Sequence, residues 1–151
     1  MDVVYLDSSV LVELLLGSEE RRQIIKSIIA GKRRFTSVIS FGEVLYVAVA
    51  ISAEKSYGSR NRNAIRKFIK EKHGDYVFLC ESVNRLYSAL SIDVLPHPKT
   101  ETIQKLIKKY ILLPRDLIHI ASAIENNCDC FLTLDDDFKR VNEGVSIVVI
   151  E

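Results

Sequence analysis

Short apolar runs alternate along the chain with longer segments in which apolar residues recur every three or four positions. The runs contain four or five residues and are rich in valine, isoleucine, leucine and phenylalanine, which is typical of strands buried on both faces. They occupy residues 3–6, 35–38, 92–95, 130–134 and 147–150. We predict a strand at each of these positions.

The longer segments have the apolar spacing of amphipathic helices. Helices are predicted from residue 10 onward and over 18–30, 40–54, 59–72, 77–90, 100–111 and 114–126. The segment 77–90 is ambiguous, although Leu79, Val83 and Leu86 fit a helix better than a strand. Because strands separated by helices form parallel sheets with helices on both faces, the pattern predicts an α/β three-layer sandwich around a mostly parallel sheet of about five strands.

The composition fits a single globular domain over residues 1–151. Hydrophobic residues make up 48% of the sequence and charged residues 27%, which excludes a disordered or fibrous chain. No apolar run approaches the ~18 residues that cross a bilayer, and Asp2 stands where a secretory leader would carry basic residues. We therefore expect a soluble protein without a membrane partner.

The cysteines indicate a reducing compartment. Their number is odd, at three, which argues against a disulfide framework and for the cytoplasm. Cys128 and Cys130 are two positions apart, so in a strand they would share one face and pack in the core. No further soft ligands stand near them, and core packing is favoured over zinc binding.

The net charge of +1 conceals a basic segment. Residues 55–72 contain seven basic residues and one acid, Glu71, so they carry +6 and the rest of the chain carries −5. Such a segment can bind the phosphates of a nucleic acid, or it can be a solvated helix face, as most runs of charge are. The candidate phosphate contacts are Arg60, Arg62, Arg66, Lys67 and Lys70.

Acidic residues follow the predicted strands and open the predicted helices. Asp7 comes directly after the first strand, and Asp135 and Asp137 come after the fourth. Glu43 and Asp116 lie in or near the first turns of two helices. Because ligand sites of parallel sheets form at the carboxyl ends of the strands, these side chains are expected to converge on one edge.

A cluster of carboxylates requires a cation, since like charges repel. Oxygen ligands favour Mg²⁺ or Mn²⁺ over zinc, and a hard cation that activates water and neutralises a phosphate indicates phosphodiester hydrolysis. Asp7, Asp116 and the run 135–137 also have structural explanations, as a helix cap, a first-turn acid and a solvated turn. Glu43 lies in the apolar run 38–50, where a carboxylate without a function is costly.

Four segments resemble PIN-domain ribonucleases, and most closely the toxins of VapBC toxin–antitoxin pairs. They are YLDSSVLV (5–12), SFGEV (40–44), LPRDLIHIASA (113–123) and FLTLDDDF (131–138). Each segment contains one residue that matches one of the family's four acids. The resemblance in architecture covers nearly the whole chain, whereas residues 55–95 contain no family motif.

This resemblance implies an endoribonuclease in which water activated by Mg²⁺ or Mn²⁺ attacks the phosphorus, with no covalent nucleophile. Asp7, Glu43, Asp116 and Asp135 would hold one or two metal ions, and Asp137 would assist through water. Ser8 and Thr133 would orient the metal site through their hydroxyl groups. The family also implies an RNA substrate, an antitoxin partner and a homodimer.

Two residues beside Asp116 have open roles. His119 lies one helical turn later, where it either faces the site or is a satisfied core histidine, and the core role is favoured. Arg115 either reaches the scissile phosphate or pairs with a neighbouring acid.

Two other functions compete with the nuclease. A binding module would keep the fold and bind RNA without cleaving it. A phosphotransfer domain would use Asp7 as phosphate acceptor, but the chain lacks an Asp-x-Asp pair after the first strand.

Overall fold

The computed structural model describes residues 2–151, which form five strands, seven α-helices and one 3-10 helix. The strands are β1 (Val3–Leu6), β2 (Arg33–Ser37), β3 (Ile92–Leu95), β4 (Cys130–Thr133) and β5 (Ser146–Val149). The helices are α1 (Ser8–Leu16), α2 (Glu19–Ile29), α3 (Ser40–Tyr57), α4 (Arg62–Glu71), α5 (His73–Ala89), α6 (Thr100–Lys109) and α7 (Pro114–Glu125). The 3-10 helix, Asp136–Arg140, occupies the acidic stretch for which a solvated turn was the structural alternative.

All five strands are parallel and lie in the order β3-β2-β1-β4-β5. Tyr5 in the central strand β1 pairs with Phe35 of β2 on one side and with Phe131 of β4 on the other. The chain builds outward from β1 to β3 and then crosses to the other side of β1 for β4 and β5. The strand order therefore reverses beside β1, the place where crevices for ligands form. The predicted α/β sandwich is confirmed.

Side chains alternate along β1 between the two faces of the sheet, as the period of a strand requires. Val4 and Leu6 enter an apolar core that is closed by α1, α2 and α5. Tyr5 points to the opposite face, into a second core that α6 and α7 close. Because helices cover both faces, β1 is apolar at every position, and its sequence gives no sign of which face each side chain joins.

Residues 45–71 form an extension that we call the α3–α4 arm. It has its own small apolar cluster, in which Val49 and Ala53 of α3 pack against Ile65 and Phe68 of α4. The helix α3 continues past its predicted end at residue 54. It ends only at Gly58, whose φ of 74° provides a left-handed cap. Within residues 2–151, no helix is both long enough and apolar enough to cross a membrane.

Cys128 and Cys130 both pack against the apolar cores, as expected, but they do not share one face of the sheet. The strand β4 begins at Cys130, so Cys128 lies in the turn before it and strand alternation does not apply. Asn127, with a φ of 52°, reverses the chain there, and Cys128 enters the core beneath α6 and α7. Cys130 packs against the core on the other face. All three cysteines are free thiols.

Candidate active site

Four acidic side chains from separate parts of the chain line one cavity of about 220 Å³ at the carboxyl edge of the sheet. Asp7 follows β1 and Asp135 follows β4, on the two sides of the point where strand order reverses. Glu43 and Asp116 lie in the first turns of α3 and α7. The other lining residues are Ser8, Ser9, Val12, Val47, Arg115 and His119.

Asp7 is the most deeply buried of these acids, with 5% of its surface exposed. It caps α1, and its Oδ1 accepts a hydrogen bond from the backbone N–H of Ser8 at 2.9 Å. Its Oδ2 accepts from the hydroxyls of Ser9 at 2.8 Å and Thr133 at 2.7 Å. The capping explanation is therefore correct, and the same side chain also lines the cavity with its carboxylate held in one orientation.

Glu43 is held from three directions. Its Oε1 accepts from the Ser8 hydroxyl at 2.7 Å and from Nε2 of His119 at 2.6 Å. Its Oε2 lies 3.4 Å from Nη1 of Arg115. Burial raises the pKa of Glu43, but the hydrogen bonds from His119 and Ser8 and the charges of His119 and Arg115 together lower the pKa below its ordinary value. Glu43 is therefore held as the anion.

His119 has both roles that the sequence left open, since it is buried within α7 and also faces the site. Only 1% of its surface is exposed. The carboxylate of Glu43 is purely an acceptor, so Nε2 of His119 carries the proton. Nδ1 lies 2.6 Å from the hydroxyl of Tyr5, which accepts from a protonated ring and donates to a neutral one. This chain of hydrogen bonds fixes the ring between β1 and α3.

Asp116 differs from its neighbours because, within residues 2–151, no protein group donates a hydrogen bond to its carboxylate. Leu113 caps α7 and Pro114 begins it, which places Asp116 in the first turn, over the cavity. The pKa of Asp116 is raised to about 6, mainly by burial and further by the negative charges of Asp7 and Asp135. The positive charges of His119 and Arg115 oppose this increase. The cavity therefore carries an excess of negative charge at this side chain.

Asp135 and Asp137 occupy different places. Asp135 lines the cavity, and its Oδ1 accepts from the backbone N–H of Asp137 at 2.9 Å, which caps the 3-10 helix. Its own N–H donates to the hydroxyl of Thr133 at 3.0 Å. Asp137 is exposed and lines a neighbouring depression with Arg140 rather than the cavity of the four acids.

The family is decided by a match along nearly the full length of the chain. A family model described as the PIN domain matches residues 4–144. This chain belongs to the PIN domain family. The match includes all four acids that line the cavity.

Known relatives of this PIN domain agree in sequence and in fold. The chain is 27% identical over 143 residues to Ribonuclease VapC2 of Methanocaldococcus jannaschii, an alignment that covers 92% of this chain and 89% of the relative. Its fold is similar to that of a toxin–antitoxin complex from Klebsiella pneumoniae, with a TM-score of 0.60, 19% identity, and coverage of 97% of this chain and 96% of the other. It is also similar to VapBC2 from Rickettsia felis bound to a promoter DNA fragment, with a TM-score of 0.58, 15% identity, and coverage of 97% and 98%.

The acids of this PIN domain offer the oxygen ligands that a hard cation prefers. Within residues 2–151, no group of three or more histidine, cysteine, aspartate or glutamate side chains is arranged so that it could already hold a metal ion. Asp7 and Glu43 direct their oxygens to hydroxyls and to His119. Burial and the negative charges of Asp7 and Asp135 raise the pKa of Asp116, and four of the side chains that line the cavity are carboxylates. The residues present therefore fit Mg²⁺ or Mn²⁺.

Two residues of the site escaped sequence reasoning. Ser9 donates to Asp7 and accepts from the backbone N–H of Leu134 at 3.1 Å, so it ties the first turn of α1 to the residue after β4. Tyr5 holds His119. Tyr5 and Asp7 are two positions apart at the end of a strand, and this spacing could have placed both on the same face.

The basic residues of segment 55–72 divide into two groups. Arg60 forms an ion pair with Glu54, and the ammonium of Lys67 lies 4.5 Å from the centre of the Tyr57 ring. Arg62, Arg66 and Lys70 are exposed and form no ion pair with the acids of the described chain. Arg115 pairs with Glu43, and 66% of its side chain remains exposed.

Proposed function

We propose that this PIN domain is a divalent-metal-dependent endoribonuclease and the toxin of a toxin–antitoxin pair. The carrying observation is the convergence of Asp7, Glu43, Asp116 and Asp135 on one cavity at the carboxyl edge of the sheet. Membership of the PIN family and the name of the archaeal relative, a ribonuclease, support the activity. The similarity in fold to toxin–antitoxin complexes is consistent with the proposed biological role.

The four acids would hold Mg²⁺ or Mn²⁺, with Asp137 assisting through water. When bound, the metal supplies positive charge for the scissile phosphate and lowers the pKa of water, so that hydrolysis needs no covalent nucleophile. Asp116 has the strongest requirement for this charge, because its carboxylate accepts no hydrogen bond from the protein and carries a raised pKa.

The other side chains of the site orient the acids. The hydroxyls of Ser8 and Thr133 hold Glu43 and Asp7, and each hydroxyl fixes the direction from which its carboxylate can bind a cation. The exposed guanidinium of Arg115 lies against Glu43 and is free to turn toward a phosphate once a metal ion shares the charge of that acid. Arg115 therefore contributes to RNA binding.

The substrate is expected to reach the cavity along basic residues. Arg62, Arg66 and Lys70 are exposed and free of ion pairs within the described chain, so they are the strongest candidates for contacts to the RNA backbone. Arg60 and Lys67 contribute less in this proposal, because each is already engaged with a side chain of its own arm. RNA rather than DNA is proposed from the name of the relative.

Protein partners complete the proposal. An antitoxin would bind the toxin in the cytoplasm, and co-purification with the product of a neighbouring gene tests this. A homodimer is proposed because the family implies one and because Ile107, Ile111 and Leu113 are exposed apolar side chains, of which Ile111 is 97% exposed. Light scattering on Ile111→Asp tests the dimer, and an unchanged mass would contradict this interface.

Cleavage of single-stranded RNA with and without Mn²⁺ tests the activity. We expect metal-dependent cleavage by the wild type and none by Asp7→Asn, with the fold retained. Asp136→Asn is the matched control, because Asp136 lies beside Asp135 in sequence but is exposed and paired with Lys139. Cleavage that needs no metal would contradict the proposal, and so would full activity of Asp7→Asn. Binding of RNA without cleavage would favour a binding module instead.

A further inference from the structure

A second cavity lies beside the acidic one, between α3, α4 and α5, and encloses about 260 Å³. Gly42, Tyr46 and Tyr76 line it together with four aliphatic side chains, and no acid takes part. Sites for whole drug-sized ligands typically enclose about 300–1,000 Å³, so this cavity suits one planar apolar group rather than a complete ligand. The aliphatic side chains are Leu45, Val49, Ile65 and Ile69.

The helix α3 connects the two cavities. Glu43 and Val47 line the acidic cavity, whereas Gly42 and Val49 line the apolar one. Successive residues of a helix are about 100° apart around its axis, so Tyr46 lies between these two faces. Residues three apart on a helix have Cβ atoms about 5–6 Å from each other, which places Tyr46 directly next to Glu43.

Tyr46 is an exposed aromatic side chain without a partner. Of its surface, 59% is accessible to solvent, although it lines a cavity. Within the described part of the chain its ring takes part in no aromatic pair and no cation–π contact, and its hydroxyl forms no hydrogen bond. Tyr57, by contrast, is covered by Lys67 and bonded to Glu71. The free ring face of Tyr46 is therefore available to a planar ligand.

Positive charge borders the same cavity along α4. Arg62, Arg66 and Ile69 follow the i, i+4, i+7 spacing that places residues on one face of a helix. Ile69 lines the cavity, whereas neither arginine does, so helical spacing places the two exposed arginines beside that wall rather than in it. An apolar cavity with a free aromatic ring and unpaired arginines beside it is complementary to a nucleobase and the phosphates that flank it.

Gly42 lines the apolar cavity from the first turn of α3. A Cβ placed on Gly42 would meet no heavy atom within 4 Å, so packing does not require glycine there. Glycine also destabilises a helix relative to alanine, and Gly42 is in the first turn of α3. The chain therefore leaves space at the position where the apolar cavity approaches Glu43.

We propose that this cavity binds the base of a nucleotide next to the scissile phosphate, with Tyr46 stacked on that base. Arg62 and Arg66 contact the phosphates that follow. The proposal rests on the proposed ribonuclease function and adds a residue that holds the base of the bound nucleotide. An apolar protein segment would fill the cavity without using the two arginines, which is why a nucleic acid is the better fit.

RNA binding in a cleavage-deficient background tests the proposal. The affinity of labelled single-stranded RNA would be measured for Asp7→Asn alone and combined with Tyr46→Ala, Tyr46→Phe or Phe78→Ala. Phe78 is the matched control, because 58% of its surface is exposed and it lies on α5, outside both cavities discussed above. Tyr46→Ala should weaken binding by about fivefold to a hundredfold, since stacking on one base contributes that much.

The conservative variant separates stacking from other roles. Tyr46→Phe should restore the affinity, because a phenyl ring stacks as a phenol ring does, and Phe78→Ala should leave it within about twofold. Equal losses from Tyr46→Ala and Phe78→Ala would overturn the proposal. If Tyr46→Ala binds RNA as tightly as its parent, the proposal is also overturned. This holds even if the variant has lost the ability to bind a protein partner, since the cavity would then serve that partner and not RNA.

Gly42→Leu is an independent probe, since it fills the cavity while Tyr46 remains. It should weaken RNA binding to a similar extent, whereas Gly42→Ala should have a smaller effect, and melting curves of both verify folding. Undiminished binding by a folded Gly42→Leu would count against a base in this cavity. If the wild type binds RNA but never cleaves it with Mn²⁺, the ribonuclease function fails, while the affinities still decide the stacking site.

Discussion

The carboxyl edge of the sheet and the α3–α4 arm hold charge in opposite ways. At the edge, Asp7 and Glu43 are each held by hydrogen bonds from hydroxyl, backbone or histidine donors that come from different elements. On the arm, Arg62 and Arg66 are exposed and have no ion pair within the described chain. Charge fixed in one geometry suits a small cation and a defined reaction, whereas mobile exposed charge suits a long flexible polyanion.

Asp116 is the exception within the edge, because it shares the cavity of Asp7 but none of its hydrogen bonds. The molecule therefore holds charge in three ways, as an acid without a hydrogen-bond donor, as acids held in a hydrogen-bond network, and as exposed cations on the arm. Substitutions in these three groups should differ in the size of their effect and in the property that they change.

The largest effect is expected from Asp116→Asn. Removing this acid should lower the rate of RNA cleavage by about a thousandfold or more, because metal charge stabilisation contributes several kcal/mol. Single-turnover cleavage with Mn²⁺ measures it. Asp136→Asn, an exposed acid, should cleave at the wild-type rate. A loss of similar size in both variants would remove the distinction between cavity and surface acids.

A substitution in the hydrogen-bond network around Glu43 should have an intermediate effect. His119→Gln should weaken Mn²⁺ binding by about 10–100-fold, because side chains that orient metal ligands typically contribute that much. Calorimetric titration of the metal measures it without any RNA present. The same variant deprives the buried Tyr5 hydroxyl of its partner, which costs about 1–3 kcal/mol of folding stability. Wild-type metal affinity in a folded His119→Gln would show that the network does not orient Glu43.

Stability against pH isolates Asp116 in the absence of metal. Its pKa in the folded protein, about 6, exceeds the ordinary value of 3.8, so the folded state binds the proton more tightly than the unfolded chain. The resulting stabilisation is complete below the ordinary pKa and is lost as the pH rises through 6.

In a chelator at about pH 8, the unfolding free energy of Asp116→Asn should therefore exceed that of the wild type by about 1–2 kcal/mol after allowance for solvent screening. The variant should accordingly melt at a higher temperature. The difference should shrink toward about pH 4. Thermal melts across this range measure it. A lower melting temperature for the variant at the higher pH would contradict a penalty from like charges.

The smallest effect is expected on the arm. Arg66→Ala should weaken the binding of RNA by severalfold, whatever the RNA sequence. It should also reduce the slope of log affinity against log salt concentration by about 0.7–1. Arg60→Ala should change the slope less, because Arg60 is already paired with Glu54. Equal slopes for both variants would mean that ion pairing on the arm does not determine which arginines meet RNA.

Prediction from the sequence succeeded where local patterns carry the information. The five strands and the helix α7, which Pro114 opens, come from short-range periodicity and capping. The acids could be placed on one edge because every one of them follows a strand or begins a helix. The end of α3 was misjudged because its apolar spacing weakens before Gly58, and only the left-handed conformation of that glycine ends the helix.

The sequence did not indicate which side chains of the site form hydrogen bonds with one another. Periodicity suggested a core role for His119, and the residue is buried, but its bonds to Glu43 and Tyr5 join segments 76 and 114 positions away in the chain. Ser9 could not be distinguished from other serines until β4 was laid beside β1. The two cysteines pack in the cores as expected, but a shared face requires both to lie in a strand, and Cys128 precedes β4, which begins at Cys130.

The sequence alone determined the fold class and the edge at which the acids collect, because these depend on local periodicity and on the places of the charged groups along the chain. Only the tertiary structure decided which acid remains without a partner, which arginines stay free and that Tyr46 lies between an acidic and an apolar cavity. These features depend on contacts between distant segments, and such contacts form only when the strands have paired and the helices have packed on the sheet.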